Sequence, residues 1–254
     1  MSFADVSAID AHEGKKAMKQ VNKVILAYLA GWGLTACGTG QSEDVNQSRI
    51  VQSYALSYGE QDALLKATAS FHYENPFGTS LRLSGPSSVS FAGQLMNYEN
   101  ILDSARYTLK QQHHDLSFVP LSFRYVNNAG ETFQVDAPLP EAFVLRSPSD
   151  GSWISRGQEL TVRLEKPATG DSDDVQACLT GEAGPKGEAA HEECLYFGRR
   201  ASVVFSREQL EAFALGSSVS LKLTSTRHPS QNNANIQVLT QRIARPLTLR
   251  IREF

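Results

Sequence analysis

The sequence predicts an all-β chain built as two antiparallel β-sandwiches behind a targeting segment and a flexible tether. Three observations predict it. Apolar and polar residues alternate at period 2 along most of the chain, clusters of Asn, Asp, Gly, Pro and Ser interrupt the alternation at near-regular spacing, and helix-start chemistry is scarce.

The first 36 residues do not follow that pattern. Met18-Lys-Gln-Val-Asn-Lys23 leads into an apolar run over 24–34, which ends in Leu34-Thr35-Ala36-Cys37. A run of 11 residues is too short for a bilayer core, which takes roughly 20, and fits the roughly 7 to 15 of a signal h-region. The four closing residues resemble the lipobox of bacterial lipoproteins, in which Leu, a small or polar residue and Ala or Gly precede an invariant Cys. The resemblance covers the targeting segment alone. It implies a diacylglycerol on the Cys37 thiol, cleavage after Ala36, and acylation of the new amino group by a palmitate-like chain. Gly38 after the Cys is compatible, in proteobacteria, with transfer to the outer membrane facing the periplasm, whereas Asp there commonly causes inner-membrane retention. The alternatives are an ordinary signal peptide or a buried apolar helix with a coincidental Cys. Asp5, Asp10 and Glu13 are out of place before a basic n-region, which points to Met18 as the true start; otherwise residues 1–17 are a long n-region discarded with the rest.

Maturation at Cys37 leaves 218 of the 254 residues, enough for two domains of roughly 100 residues each. It removes four lysines and three acids, so 20 basic and 24 acidic residues remain and the net charge is −4. Nothing in that balance points to nucleic acid. With Cys37 assigned to lipid, Cys178 and Cys194 remain as an even pair in a compartment where disulfides persist, and a bond between them is expected. Two free thiols are the alternative, and the Cys-x2-Cys spacing of a zinc site is absent.

Residues 37–48 are polar and small and read as the tether. The first sandwich, 49–140, carries alternating Ala67, Ala69, Phe71, Tyr73; a short strand around Leu81; Val89, Phe91; and Leu121, Phe123, Tyr125. The turn Asn127-Asn-Ala-Gly130 joins strands over 122–126 and 132–136 as a hairpin. Pro138-Leu-Pro140 marks the boundary, and the second sandwich occupies 141–254.

Residues 143–164 resemble the opening of many bacterial immunoglobulin-like domains: a short strand, the turn Ser147-Pro-Ser-Asp-Gly151, then alternating Leu160, Val162, Leu164. That resemblance implies an immunoglobulin-like sandwich. Strands over 175–179, 195–197 and 201–205 follow, with a Gly- and charge-rich loop at 180–193. Ser206-Arg-Glu-Gln209 is a capping-box pattern that opens a short helix, which Gly216 stops. Val219, Leu221, Leu223 and then Leu247, Leu249, Ile251 resume the alternation, with Pro246 at a strand start or edge.

Each candidate site has a plain structural reading beside it. His113-His114-Asp115 offers two imidazoles and a carboxylate to a metal or a proton transfer, or is a polar loop before a strand. Asp171-Ser-Asp-Asp174 offers oxygens to calcium but lacks the Gly and Glu of an EF-hand loop. His191-Glu-Glu-Cys194 lacks the second His of the zinc-protease motif, and Gly181-x-x-Gly184-x-x-Gly187 lacks the lysine of a phosphate loop. Arg242, Arg245, Arg250 and Arg252 suit an anionic partner, and Arg250 and Arg252 also fit solvent-facing strand positions. Tyr54, Tyr58, Tyr73 and His72 suit an aromatic platform or core packing. No catalytic, cofactor or metal residue is therefore assigned. The expected function is a membrane-anchored, non-enzymatic binding or scaffold lipoprotein of the bacterial envelope. Its membrane attachment is the lipid on Cys37, its partner an envelope protein or glycan, and its contact surface the loop at 180–193. The alternative is an envelope hydrolase acting on glycan or peptide, with a site dispersed in the sequence.

Overall fold

Residues 38–165, 173–182, 190–229 and 235–253 are described by the structure, a computed structural model. The alternating stretches form strands, as β-branched and aromatic residues at every second position favour. The first half contains β1 (Gly40–Gln41), β2 (Ile50–Gly59), β3 (Leu64–Tyr73), β4 (Leu81–Arg82), β5 (Ser88–Phe91), β6 (Gln94–Leu95), β7 (Asn97–Ile101), β8 (Ser104–Gln112), β9 (Ser122–Val126) and β10 (Thr132–Asp136). The second contains β11 (Leu145–Ser147), β12 (Trp153–Ser155), β13 (Leu160–Leu164), β14 (Asp173–Gly181), β15 (His191–Tyr196), β16 (Ser202–Phe205), helix α1 (Arg207–Glu211), β17 (Ser218–Arg227), β18 (Ile236–Ile243) and β19 (Leu247–Arg252).

The fold is all-β, with two layered cores. In the first, the sheet β10-β9-β5-β6 covers β2, β3 and β8. The even-numbered side of β2 (Tyr54, Leu56) and the odd-numbered side of β3 (Ala67, Ala69, Phe71) meet Val89, Phe91, Phe123 and Tyr125 there. The rings interlock, with Tyr54 and Phe123 centroids 4.7 Å apart and Phe71 and Tyr125 4.6 Å apart, which is the spacing of offset aromatic pairs. In the second, β11-β13-β16 covers β14, β17 and β19, and Leu160, Val162 and Leu164 pack with Leu179, Phe205, Phe213, Leu221 and Leu249.

One long sheet, β12-β19-β17-β18-β2-β3-β8-β7, passes through both layers. Strand β17 makes the join. Its first residues, Ser218 to Leu221, pair with β19, and its last, Thr224 to Arg227, pair with β18 along the same edge. Between those two strands the Ala244 amide donates to the Leu223 carbonyl at 3.0 Å, and Pro246, which has no amide hydrogen to donate, stands just before β19 begins at Leu247. Strand β18 then runs parallel to β2, from Ile236 opposite Gln52 to Ile243 opposite Gly59. The pairs β1–β4 and β12–β19 are parallel too, so the sheets are mixed. Alternation fixes which face a residue takes, not which strand pairs with it or in which direction.

Pro138-Leu-Pro140 is built into this join. The Thr240 hydroxyl donates to the Pro138 carbonyl at 2.8 Å, an Arg227 guanidinium nitrogen to Leu139 at 3.2 Å, and Arg242 Nε to Pro140 at 2.8 Å. The two prolines cannot offer amides to a ladder, but the carbonyls of all three residues remain acceptors, and three side chains of β17 and β18 satisfy them.

Two sequence expectations need correction. The stretch 37–48 was expected as a flexible tether, yet from Gly40 onward it is folded onto the body. β1 pairs with β4, two 3-10 turns follow (Ser42–Asp44 and Gln47–Arg49), and Ser42 is fully buried. Small polar residues fit a tight, hydrogen-bonded turn as well as a free chain. Here the Ser42 hydroxyl accepts from the Ser84 amide at 3.0 Å and Gln47 Nε2 donates to the Ser42 carbonyl at 2.6 Å. The helix also ends earlier than expected. The Ser206–Gln209 capping box is formed in both directions, but α1 stops at Glu211, and Gly216, at φ 74°, serves the next turn.

Candidate functional site

The sequence-nominated side chains are spread over the body, and several of them have a local partner, whereas the buried His72 Nδ1 has none. His113 Nε2 lies 3.0 Å from Gln111 Oε1, and its carbonyl accepts the Tyr58 hydroxyl at 3.1 Å. Asp115 accepts the Ser117 amide at 2.8 Å, and that bond, with one from the Ser117 hydroxyl, holds its carboxyl below the ordinary range. His114 is exposed. These residues form a turn after β8. Of the candidate calcium residues, Asp171 and Ser172 lie outside the described residues. The tyrosines are structural. Tyr54 is buried and donates to Gln52 Oε1 at 2.8 Å, and burial pushes its phenol far above the usual range. Tyr58 lies under the Arg242 guanidinium at 5.6 Å, and Tyr73 under that of Arg49 at 5.3 Å.

Cys178 and Cys194 are joined in a disulfide, with their Cα atoms 4.1 Å apart. They are directly opposed residues of the β14–β15 ladder, which continues to Gly181 opposite His191. Residues 180, 181 and 191–193 are therefore strand rather than loop, and 183–189 lie outside the described residues. With Glu192 the two cysteines form the cluster of metal-ligand type found among the described residues, within 4.8 Å. Because both sulfurs are bonded to each other, it is not a metal site. His191 Nε2 sits 3.0 Å from Glu193 Oε1, and Glu193 also accepts Gln209 Nε2 at 3.1 Å, which ties the hairpin to α1.

A different place is shaped to receive something. On the face of β18-β2-β3-β8 that points away from the first core, the strand registers align rows across the sheet: Leu239, Ala55, Thr68, Thr108, and beside it Gln241, Ser57, Lys66, Lys110. The central positions, Ser53, Ala55, Ser57, Thr68 and Ser70, are all small, so the face is a shallow trough rather than a thicket of long side chains. An open cavity of about 760 Å³ lies over it, reached by Arg106, His228 and Gln237, and a second of about 150 Å³ continues toward Lys66 and Gln241. The first volume falls in the roughly 300–1,000 Å³ of ligand clefts. Its floor is firm, because the other side of the same strands is the first aromatic core.

The trough offers hydroxyl and amide groups in its middle and cations at its rim. Thr108 donates to Glu99 Oε1 at 2.7 Å, and Glu99 stands opposite Arg106 in the β7–β8 register. Lys66, Lys110 and Arg106 outnumber Glu99 on this face and give it a positive bias on a chain of net negative charge, suited to a polar or anionic partner. The signal was present in the sequence as small residues on the solvent side of two neighbouring strands. It escapes a reading that searches for titratable motifs.

No family model and no curated protein matches the chain. Among solved structures it is similar to the fibronectin(III)-like modules of Clostridium thermocellum CbhA, at 9% identity and a TM-score of 0.25, over 80% of this chain and 93% of that one. Among the described residues no helix is long and apolar enough to cross a membrane.

Proposed function

We propose that this chain is a membrane-anchored lipoprotein of the bacterial envelope, acting as a non-enzymatic binding or scaffold module. It is attached through a lipid on Cys37 and held at the outer membrane on the periplasmic side. The observation that carries this reading is the segment 18–37, a basic start, an apolar run too short to span and Leu34-Thr35-Ala36-Cys37, set two residues before β1. The disulfide accords with an oxidising compartment. The hydrogen bonds from Arg227, Thr240 and Arg242 to residues 138–140 favour two domains, 49–140 and 141–254, that move as one piece, as a scaffold requires.

The partner is an envelope protein or glycan, and its place is the trough rather than the loop at 180–193, whose ends are paired strands. Hydroxyls, amides and rim cations bind an extended polar segment through many modest hydrogen bonds. Two measurements test the reading. Cys37→Ala should shift the protein from the membrane to the soluble fraction; unchanged membrane association contradicts the anchor. A photo-crosslinking side chain at Ser53 or Ser70 should capture an envelope component that one at Arg163, on the outside of the second sandwich, does not; identical adducts from all three positions contradict the trough.

A further inference from the structure

The end of the first sandwich where the chain enters carries three exposed large apolar side chains beside the exposed Arg49–Glu74 ion pair. β2 begins there at Ile50, opposite Tyr73 of β3, and the β7–β8 hairpin turns there between Ile101 and Ser104. Three large apolar side chains project from it: Phe77 in the turn after β3, 97% exposed, and Ile101 and Leu102 at the hairpin tip, 42% and 97% exposed. Leu102 and Asp103 are the two central residues of that tip, at φ 50° and 60°. Such positions ordinarily take Asn and Gly, because a side chain is crowded in the left-handed region. A leucine placed there and turned fully to solvent is a costly choice of the kind associated with function.

The same end receives the chain from Cys37. The Thr39 hydroxyl donates to the Asp103 carbonyl at 2.9 Å, the Gly40 amide to the Ser80 carbonyl at 2.9 Å, and the Ala105 amide to Ser80 Oγ at 2.8 Å. These bonds knit the incoming strand, the Phe77 turn and the Leu102 tip into one structure. Only Gly38 separates Cys37 from Thr39, and chain geometry limits two residues to about 7 Å. A lipid on Cys37 therefore brings this end, and not the opposite one bearing Phe118, to the bilayer surface.

We infer that this end is a membrane-contact surface: Phe77, Ile101 and Leu102 enter the headgroup region of the phospholipid bilayer beside the anchor. The inference rests on the proposed lipid at Cys37. Arg82 stacked on Tyr98 at 4.9 Å supplies the cation and aromatic ring that settle at headgroup level, while the Asp103 carboxylate limits the depth. The body is then docked rather than loosely tethered, and its sheets take a set orientation to the membrane.

The test uses the mature lipidated protein in phosphatidylethanolamine and phosphatidylglycerol vesicles, with an environment-sensitive fluorophore on Leu102→Cys or, as control, Phe118→Cys. Intact mass first establishes whether the diacylglycerol is present. The label at 102 should emit at shorter wavelength than the label at 118 and be quenched by nitroxide-bearing lipids that leave 118 unaffected. A lipidated, vesicle-bound protein whose two labels emit alike overturns the contact surface and leaves the anchor standing. A mass without the lipid overturns the anchor and the contact surface with it.

Discussion

Arg242→Ala removes the side chain that ties β18 to the Pro138–Pro140 segment and to the end of β2. Arg242 is 18% exposed; its Nε donates to the Pro140 carbonyl at 2.8 Å, Nη1 lies 3.4 Å from Glu60 Oε1, and the guanidinium covers the Tyr58 ring at 5.6 Å. A hydrogen bond from a charged donor is worth about 1.5–3 kcal/mol. The ring contact adds roughly 0.5–1 kcal/mol, and the ion pair, whose Glu60 partner is 32% exposed, adds about 0.2–1 kcal/mol after solvent screening. Because these share one group they do not add fully, and the expected loss is roughly 2–4 kcal/mol. For a body of this size that lowers the melting temperature by roughly 4–16 °C. Calorimetry on the Cys37→Ala form is the assay. Arg242→Lys keeps the charge but not the planar fork and should recover less than half of the loss. A melting temperature within about 2 °C of the parent for Arg242→Ala, against the roughly 2–4 °C per kcal/mol that governs a body of this size, would refute the view that this residue clamps the join.

Three further predictions follow from other parts of the body. Replacing Cys178 and Cys194 together by Ser opens a loop of sequence separation 16 and should cost about 3 kcal/mol by the chain-entropy estimate; an unchanged urea midpoint would contradict a structural role for the bond. Gly78→Ala places a Cβ against the Tyr73 carbonyl oxygen, which backbone cannot easily yield, so a loss of roughly 1–3 kcal/mol is expected, and a wild-type midpoint would count against the turn geometry. Burial raises the phenols of Tyr54, Tyr107 and Tyr125. The stability this contributes is complete below the ordinary phenol value of about 10 and is lost as pH rises above it. Tyrosinate absorbance from these rings should therefore appear together with loss of near-ultraviolet circular dichroism, and ionisation near pH 10 in an intact fold would contradict their burial.

What was legible in the sequence is whatever alternation and turn chemistry encode locally. Leu160, Val162 and Leu164 point inward and Thr161 and Arg163 outward, and the hairpin over 122–136 pairs Val126 with Thr132 around Asn127 and Gly130 as the turn residues require. Ser206 and Gln209 form their capping box. Partner choice was not legible. Nothing in the alternation of β18 names β2 as its neighbour, because that pairing joins residues more than 180 positions apart and depends on the whole first core. Arg242 read only as one of four cations suited to an anionic partner for the same reason, since its acceptors, Pro140 and Glu60, are neighbours only in the fold. The folded stretch after Gly40 was missed because Ser42 and Gln47 bury hydrogen bonds rather than apolar area. The trough was missed because its signature is small size, not chemistry.

Attachment through Cys37 is measured most directly by the mass of the protein extracted from membranes. The expected species is a chain that begins at Cys37, 218 residues long, carrying a diacylglyceryl group on sulfur and an acyl chain on the new amino group. A membrane-derived chain that begins at Met1 or Met18 with an unmodified Cys37 would contradict it.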